Sequence, residues 1–205
     1  MKAWIAAILL FALPALGQSS ITVSQLLCEY KQDPLGIDTP APRLAWKLTS
    51  PQKNQAQTAY HILVATTPSL LDENKADLWD SGKVSTSQSI QMPYAGSPLA
   101  SHTACYWKVR VWDQDGQPSA WSPTGRWTMG YLSPQDWQAE WITLPQEPMA
   151  PRPLFRKEFA ITKPVRHAIV SICGLGFYEL RLNGDKVGDN LFDPGWSASR
   201  RTCLY

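Results

Sequence analysis

Residues 106–116 read YWKVRVWDQDG, and this stretch decides the fold of the chain. Its side chains alternate along an extended backbone, with Trp107, Val109 and Val111 on one face. The opposite face carries Tyr106, Lys108 and Arg110. A tight turn is predicted at residues 113–116, and residues 126–129 are predicted to return as a partner strand. The pattern therefore predicts antiparallel β-structure with one face turned to a core.

The same alternation recurs on the amino-terminal side of this hairpin. Residues 44–48 and 60–65 are rich in aromatic and branched side chains, and Pro, Gly, Ser and Asn separate the segments. Short strands at such spacing are typical of a β-sandwich. We therefore predict one sandwich over residues 20–131, of the fibronectin-type-III or immunoglobulin-like kind. A single helical turn is expected within it, at residues 69–78.

A second β-unit is predicted after a linker at residues 132–153. Several prolines lie between residues 145 and 153, where they prevent a regular strand ladder. Strands are expected at residues 155–159 and 168–172, the latter central. Asn183-Gly184 predicts a hairpin between residues 178–182 and 186–188, because both residues tolerate positive φ. Residues 154–205 therefore look like the start of a second, jelly-roll-like sandwich. They are too few to close it, so we expect a truncated domain.

Residues 1–17 have the pattern of a signal peptide. Lys2 precedes an apolar run from residue 4 to 13, and a small-residue cleavage site follows at residues 15–17. An uncleaved anchor is the alternative, but the run is shorter than a membrane span requires. We expect a secreted or periplasmic protein with no membrane segment after cleavage.

Charge and cysteine content narrow the function classes. The net charge is +2 with acids and bases interspersed, so a nucleic-acid partner is not expected. The cysteines Cys28, Cys105, Cys173 and Cys203 are too far apart for a zinc framework. Export permits disulfides, but the spacing favours none of the three pairings over buried thiols.

Catalytic motifs are missing from the sequence. Glycoside hydrolysis needs two carboxylates facing one sugar, whereas the acidic residues here fall singly on predicted turns. Asp113-x-Asp115-Gly116 lacks the glycine and glutamate positions of a calcium loop. No catalytic residue is therefore predicted in this chain.

A sugar-binding group is the remaining candidate site. Trp196 follows a turn and could stack on a sugar ring, and Asp189 and Asn190 lie just upstream. These two polar residues could bind hydroxyl groups or a calcium ion. The alternative is that Trp196 packs beneath its turn, since large aromatic side chains mostly contribute burial.

The sequence resembles the amino-terminal part of bacterial α-L-rhamnosidases, glycoside hydrolases of family 78. The resemblance rests on residues 27–30 (LCEY), 34–38 (PLGID), 42–46 (PRLAW), 106–113 with Trp121-Ser122, and 174–184 with residues 187–189 and 194–196. It covers essentially all of the chain after residue 17.

This resemblance implies an inverting hydrolase that releases terminal α-L-rhamnose from glycosides or polysaccharides. Its acid and base carboxylates would lie on an (α/α)6 barrel, of which this chain shows no helical pattern. The chain alone is therefore expected to be inactive and to need no cofactor. In some members a calcium-dependent rhamnose-binding module occupies the second segment, where Asp189 and Asn190 would be the matching ligands. A free-standing carbohydrate-binding module and a fibronectin-like adhesion or spacer protein are the alternatives.

Overall fold

The computed structural model describes residues 18–144, 153–165, 167–198, 201 and 203–205. The predicted signal peptide at residues 1–17 and most of the proline-rich stretch lie outside the described residues. Two compact units divide between Trp141 and Ile142. The chain thus consists of a larger amino-terminal unit and a smaller carboxy-terminal unit.

Short antiparallel strands form almost all of the regular structure. The first unit contains β1 (Thr22–Cys28), β2 (Arg43–Thr49), β3 (Ala59–Ala65), α1 (Pro68–Asp72), β4 (Trp79–Asp80), β5 (Val84–Ser85), β6 (Met92–Pro93), β7 (Ala104–Trp112), β8 (Gly125–Thr128) and a 3₁₀ turn (Pro134–Asp136). The second contains β9 (Arg181–Leu182) and β10 (Asp185–Lys186).

Two sheets face each other in the first unit. One has the strand order β1-β2-β6, and the other has the order β4-β3-β7-β8 with β5 also paired to β3. The longest ladder joins β3 to β7, from Ala59 opposite Trp112 to Ala65 opposite Tyr106. A bulge in β1 between Ser24 and Leu27 interrupts its register with β2. This arrangement confirms the predicted immunoglobulin-like sandwich.

The core lies between the inner faces of these sheets. Trp107, Val109 and Val111 of β7 are at most 1% exposed, as their alternation predicts. They belong to one apolar cluster with side chains of both sheets, including Leu44, Trp46, Ile62, Val64 and Trp127. Burial of such apolar surface is the main driving force for this fold.

The outer face of β7 is covered as well, which its polar residues did not predict. α1 packs against this side, where Leu71 forms a small cluster with Leu63 and Ala65 of β3. Lys108 is consequently 8% exposed, and its ammonium group donates to the main-chain oxygen of Leu71. Burial lowers the pKa of Lys108. The stem of a long cationic side chain thus fills space beneath the helix.

The helix is shorter than the predicted residues 69–78, because α1 ends at Asp72. Asn74 adopts a φ of 54°, in the left-handed region that terminates helices. The amide of Asn74 donates to Leu71 O and that of Lys75 donates to Leu70 O. These bonds form a Schellman motif, which satisfies the last carbonyl groups of the helix and turns the chain away.

The second unit departs from its predicted strands. Residues 155–159 and 168–172 are described but form no strand, so these two predictions are wrong. Ile169 and Val170 are exposed by 47% and 60%. To form a strand, residues 168–172 need a neighbouring strand that makes hydrogen bonds with their backbone N–H and C=O groups. None of the described residues pairs with them in this way.

The hairpin of the second unit is confirmed. β9 and β10 pair with Leu182 opposite Asp185, and Asn183 and Gly184 between them have φ values of 53° and 94°. This is the backbone of a two-residue hairpin turn that Asn-Gly favours. Among the described residues, no helix is long and apolar enough to cross a membrane.

Candidate functional site

The three predicted site residues lie in the segment that follows β10. Asp189 and Asn190 are exposed, and the Asn190 amide donates to Oδ1 of Asp193 over 3.0 Å. The Tyr178 amide donates to the Asp193 carbonyl oxygen over 2.7 Å, which ties this segment to the strand region before the hairpin. The structure therefore places Asn190 beside Asp193, a neighbour that the sequence pattern did not single out.

Trp196 belongs to a group of exposed aromatic rings. It is 89% exposed, so it does not pack beneath its turn. Its ring centroid lies 6.1 Å from that of Phe177, and Phe177 lies 4.8 Å from Phe192. Phe177 and Phe192 are themselves 51% and 65% exposed. We call Phe177, Phe192 and Trp196 the aromatic trio; it offers flat apolar surface to solvent.

The side chains of Asp189 and Asn190 were also predicted as possible calcium ligands, and that site stays a prediction. The Lys186 ammonium group donates to the main-chain oxygen of Asn190. Calcium needs six to eight oxygen ligands. The described part of the chain contains no group of three or more His, Cys, Asp or Glu side chains that could hold a metal ion.

A polar cluster on the outer face of β3 and β7 was not predicted. Nε2 of His61 lies 2.6 Å from Oδ1 of Asp80, and Nδ1 of His61 lies 3.3 Å from Nη2 of Arg110. Because the guanidinium can only donate, Nδ1 accepts and Nε2–H donates to the carboxylate. Burial raises the pKa of Asp80, but hydrogen bonds from Gly82 and His61 outweigh it, so its pKa lies below the usual value.

Stacked cations extend this cluster. The Arg110 guanidinium lies 4.7 Å from the ring centroid of Trp121 and 5.0 Å from that of Trp112. Lys108 covers Trp121 as well, at 4.8 Å. Cation–π contacts of this kind stabilise the folded arrangement of these side chains. His61 meets a guanidinium rather than a hydroxyl or thiol on its second nitrogen, so the cluster has no nucleophile–base geometry.

A shallow depression of about 360 Å³ is lined by residues of β1 and β2 and of the segment before β6. Its lining includes Gln25, Leu27, Lys47 and Ile90, and its charged side chain is a lysine. Glycoside hydrolysis needs two carboxylates across the scissile bond. This depression therefore lacks the groups that hydrolysis requires.

Two family descriptions match the chain in succession. "Rha78A-like, N-terminal immunoglobulin domain" matches residues 23–133, and "Alpha-L-rhamnosidase N-terminal domain" matches residues 163–205. The chain belongs to the Rha78A-like N-terminal immunoglobulin family. The family assignment agrees with the sandwich formed by β1 to β8 and with the resemblance carried by residues 27–46 and 106–122.

The relatives are far longer than this chain. An α-L-rhamnosidase of Formosa agariphila is 36% identical over 211 residues, which cover 92% of this chain and 22% of the relative. An α-L-rhamnosidase of Streptomyces avermitilis is 42% identical over 127 residues, which cover 62% of this chain and 12% of the relative. The chain thus corresponds to the N-terminal region of α-L-rhamnosidases, which are hydrolases.

Solved structures give the same correspondence. The α-L-rhamnosidase from Dictyoglumus thermophilum matches with a TM-score of 0.76 and 33% identity, over 89% of this chain and 22% of that one. The Streptomyces avermitilis enzyme, solved in complex with L-rhamnose, matches with a TM-score of 0.59 over 61% of this chain and 12% of that one. The similarity to the first structure extends across both units.

Proposed function

We propose that this chain is the non-catalytic β-region of a secreted α-L-rhamnosidase that hydrolyses terminal α-L-rhamnose with inversion. The observation that carries the proposal is the succession of two N-terminal domain matches over a chain that spans 22% of a relative. Hydrolysis would be performed by a separate barrel of the (α/α)6 kind. The chain would act as an accessory region of that enzyme.

The carboxylates of the first unit support a non-catalytic role, because several of them serve local structure. Glu29 binds Arg43 with its Oε2 at 2.6 Å, and Asp77 accepts from the main-chain amide of Thr66. A catalytic pair needs a raised pKa on one member. Hydrogen bonding to Arg43 instead lowers the pKa of Glu29.

The second unit supports the need for further polypeptide. None of its described residues is buried, and it exposes many large apolar side chains. These include Leu154, Phe155, Phe159, Ile161, Val170, Leu175, Leu191 and Phe192. Apolar surface of this extent marks an interface. In the proposed enzyme, strands from the rest of the polypeptide would cover it.

The experiment compares this chain with a longer product of the same reading frame. An aryl α-L-rhamnoside is the substrate, and proton NMR identifies the anomer released first. We expect β-L-rhamnose from the longer product and no release from this chain. First release of the α-anomer would refute inversion, and a stop codon directly after Tyr205 would refute the accessory role.

Export is the second part of the proposal and is supported by the pattern of residues 1–17. Expression in a bacterial host followed by mass spectrometry of the exported fraction tests it. We expect a mature chain that starts at Gln18. A full-length chain retained with the membrane fraction would support the anchor instead.

Rhamnose binding by the second unit is a second candidate function, favoured by the exposure of the aromatic trio. Sugar rings stack on flat aromatic surfaces through their apolar C–H faces, and polar groups such as Asn190 and Asp193 would serve the hydroxyls. Saturation-transfer NMR with L-rhamnose tests the candidate, with and without calcium. We expect transfer to the sugar, and stronger transfer with calcium would support the predicted calcium site at Asp189 and Asn190.

Two tryptophan variants provide the comparison. Trp196→Ala should abolish the transfer, whereas Trp141→Ala should retain it, since Trp141 is also exposed (64%) but lies in the first unit. Equal transfer in both variants would refute a site at Trp196.

A further inference from the structure

Two cysteines of the second unit lie near each other. Burial, and after it the neighbouring Cys203 side chain, raises the pKa of the Cys173 thiol, and both residues are partly buried. All four cysteines are thiols in this structure. A disulfide needs Cβ atoms about 3.5–4.5 Å apart, so the two chain segments that carry the cysteines must be held close together.

Independent contacts hold the same segments together. Tyr178 and Asp193 form a backbone bridge, which fixes the region after Cys173. A Cβ atom at Gly195 would lie 3.8 Å from Cδ1 of Leu204, so the residue that follows Cys203 packs close to the chain after Asp193. The two thiols therefore lie where three segments of the chain converge.

Cys28 and Cys105 differ from this pair in their surroundings. They are 1% and 0% exposed within the core of the sandwich. Burial raises the pKa of each thiol to about 12. A thiolate is the species that attacks a disulfide, so an oxidant in solution reaches these two thiols only when the sandwich opens. Cys173 and Cys203, in contrast, are accessible in the folded protein.

We propose that Cys173 and Cys203 form a disulfide bond when the protein meets a disulfide oxidant such as oxidised glutathione. One protein thiolate attacks a sulfur of the oxidant and releases one glutathione thiolate. The second protein thiolate then attacks the mixed disulfide and releases the other. The two protein thiols lose two electrons and two protons in total, and one glutathione disulfide becomes two glutathione thiols.

The bond would close a loop that contains the β9–β10 hairpin and the whole aromatic trio. Cross-linking the ends of a loop restricts the unfolded chain and favours the folded arrangement of what lies between. The proposed disulfide would thus fix the segment that bears Phe177, Phe192 and Trp196. The proposed bond rests on the proposed export in one respect only, because export would bring the chain to an oxidising compartment.

Peptide mapping of the full chain tests the bond. The folded protein is incubated with oxidised glutathione, then denatured, alkylated with iodoacetamide and digested with trypsin without reduction. We expect residues 167–181 linked to residues 202–205, at the summed mass of the two peptides less two hydrogen atoms. Cys28 and Cys105 should carry the alkyl group.

Two variants sharpen the result. Cys203→Ser should remove the linked peptide, whereas Cys28→Ser should leave it in place. As a control, the chain is oxidised while unfolded in guanidinium chloride. This gives the mixture of disulfides that forms when no folded structure selects the pairing. Alkylated or glutathionylated Cys173 in the folded wild-type chain would overturn the proposal, as would a link from Cys173 to Cys28 or Cys105. The same mixture of pairs with and without denaturant would overturn it too.

Discussion

Gln57 offers the sharpest test of how the two sheets are joined. It is 4% exposed and lies just before β3. Its Oε1 accepts from the indole Nε1 of Trp46 in β2 at 3.0 Å, and its Nε2 donates to the main-chain oxygens of Thr86 and Gln88 at 3.2 and 2.8 Å. One side chain thus links both sheets and the segment between β5 and β6.

Replacing Gln57 by Ala removes all of these hydrogen bonds. At about 1 kcal/mol for each bond, the free energy of unfolding should fall by about 3 kcal/mol. The indole N–H of Trp46 would also stay buried without its acceptor, which makes this figure a lower bound. With a slope of about 1–3 kcal/mol per molar urea, the unfolding midpoint should fall by about 1–3 M.

Urea unfolding of the purified chain, followed by tryptophan fluorescence, measures this change. Gln88→Ala is the matched control, since Gln88 is exposed and its main-chain acceptor survives the substitution. The free energy of unfolding of the control should stay within about 0.5 kcal/mol of the wild-type value. A Gln57→Ala variant that unfolds at the same midpoint as the control would refute this account of the junction.

Three further predictions concern the sandwich. Ser122→Ala should cost about 1–3 kcal/mol in urea unfolding, because Ser122 Oγ accepts from the buried amide of Val109 at 3.1 Å; unchanged stability would contradict it. Gly125→Ala should cost about 1–3 kcal/mol by overpacking, since a Cβ there would lie 2.8 Å from Nε1 of Trp107; a thermal scan showing an unchanged or higher Tm would count against it. Arg43 lowers the pKa of Glu29, so the stability that this carboxylate provides is present above its unfolded pKa of about 4.3 and is lost as pH falls through the lower folded value. Glu29→Gln should therefore lower the free energy of unfolding at neutral pH and leave it equal to that of the wild type in acid. A difference between the two proteins that grows as the pH falls would contradict this.

Strand alternation predicted the parts of the fold that depend on local pattern. The buried face of β7 and the Asn183-Gly184 turn follow from side-chain period and from φ preferences, which the sequence contains directly. The structural role of Ser119 and Ser122 could not be predicted in this way. Their hydroxyl oxygens accept from the amides of Val111 and Val109, and so replace a strand partner. That role depends on where the chain after β7 passes.

The candidate site was predicted less completely. Trp196 could be singled out because it follows a turn and lies just after the polar residues Asp189 and Asn190. Phe177 and Phe192 could not, since their contact depends on how the hairpin folds back. The proximity of Cys173 and Cys203 likewise requires the tertiary path, because spacing alone permits every pairing. The strand expected at residues 168–172 failed because an apolar run does not specify its partner.

The most direct test of the central claim is a hydrolysis measurement on this chain alone. The folded, purified protein is incubated with an aryl α-L-rhamnoside, and release of the aryl group is followed over hours against buffer. A non-catalytic N-terminal region of an α-L-rhamnosidase should give the rate of the buffer. Release above that rate, in proportion to the concentration of the purified chain, would contradict the account.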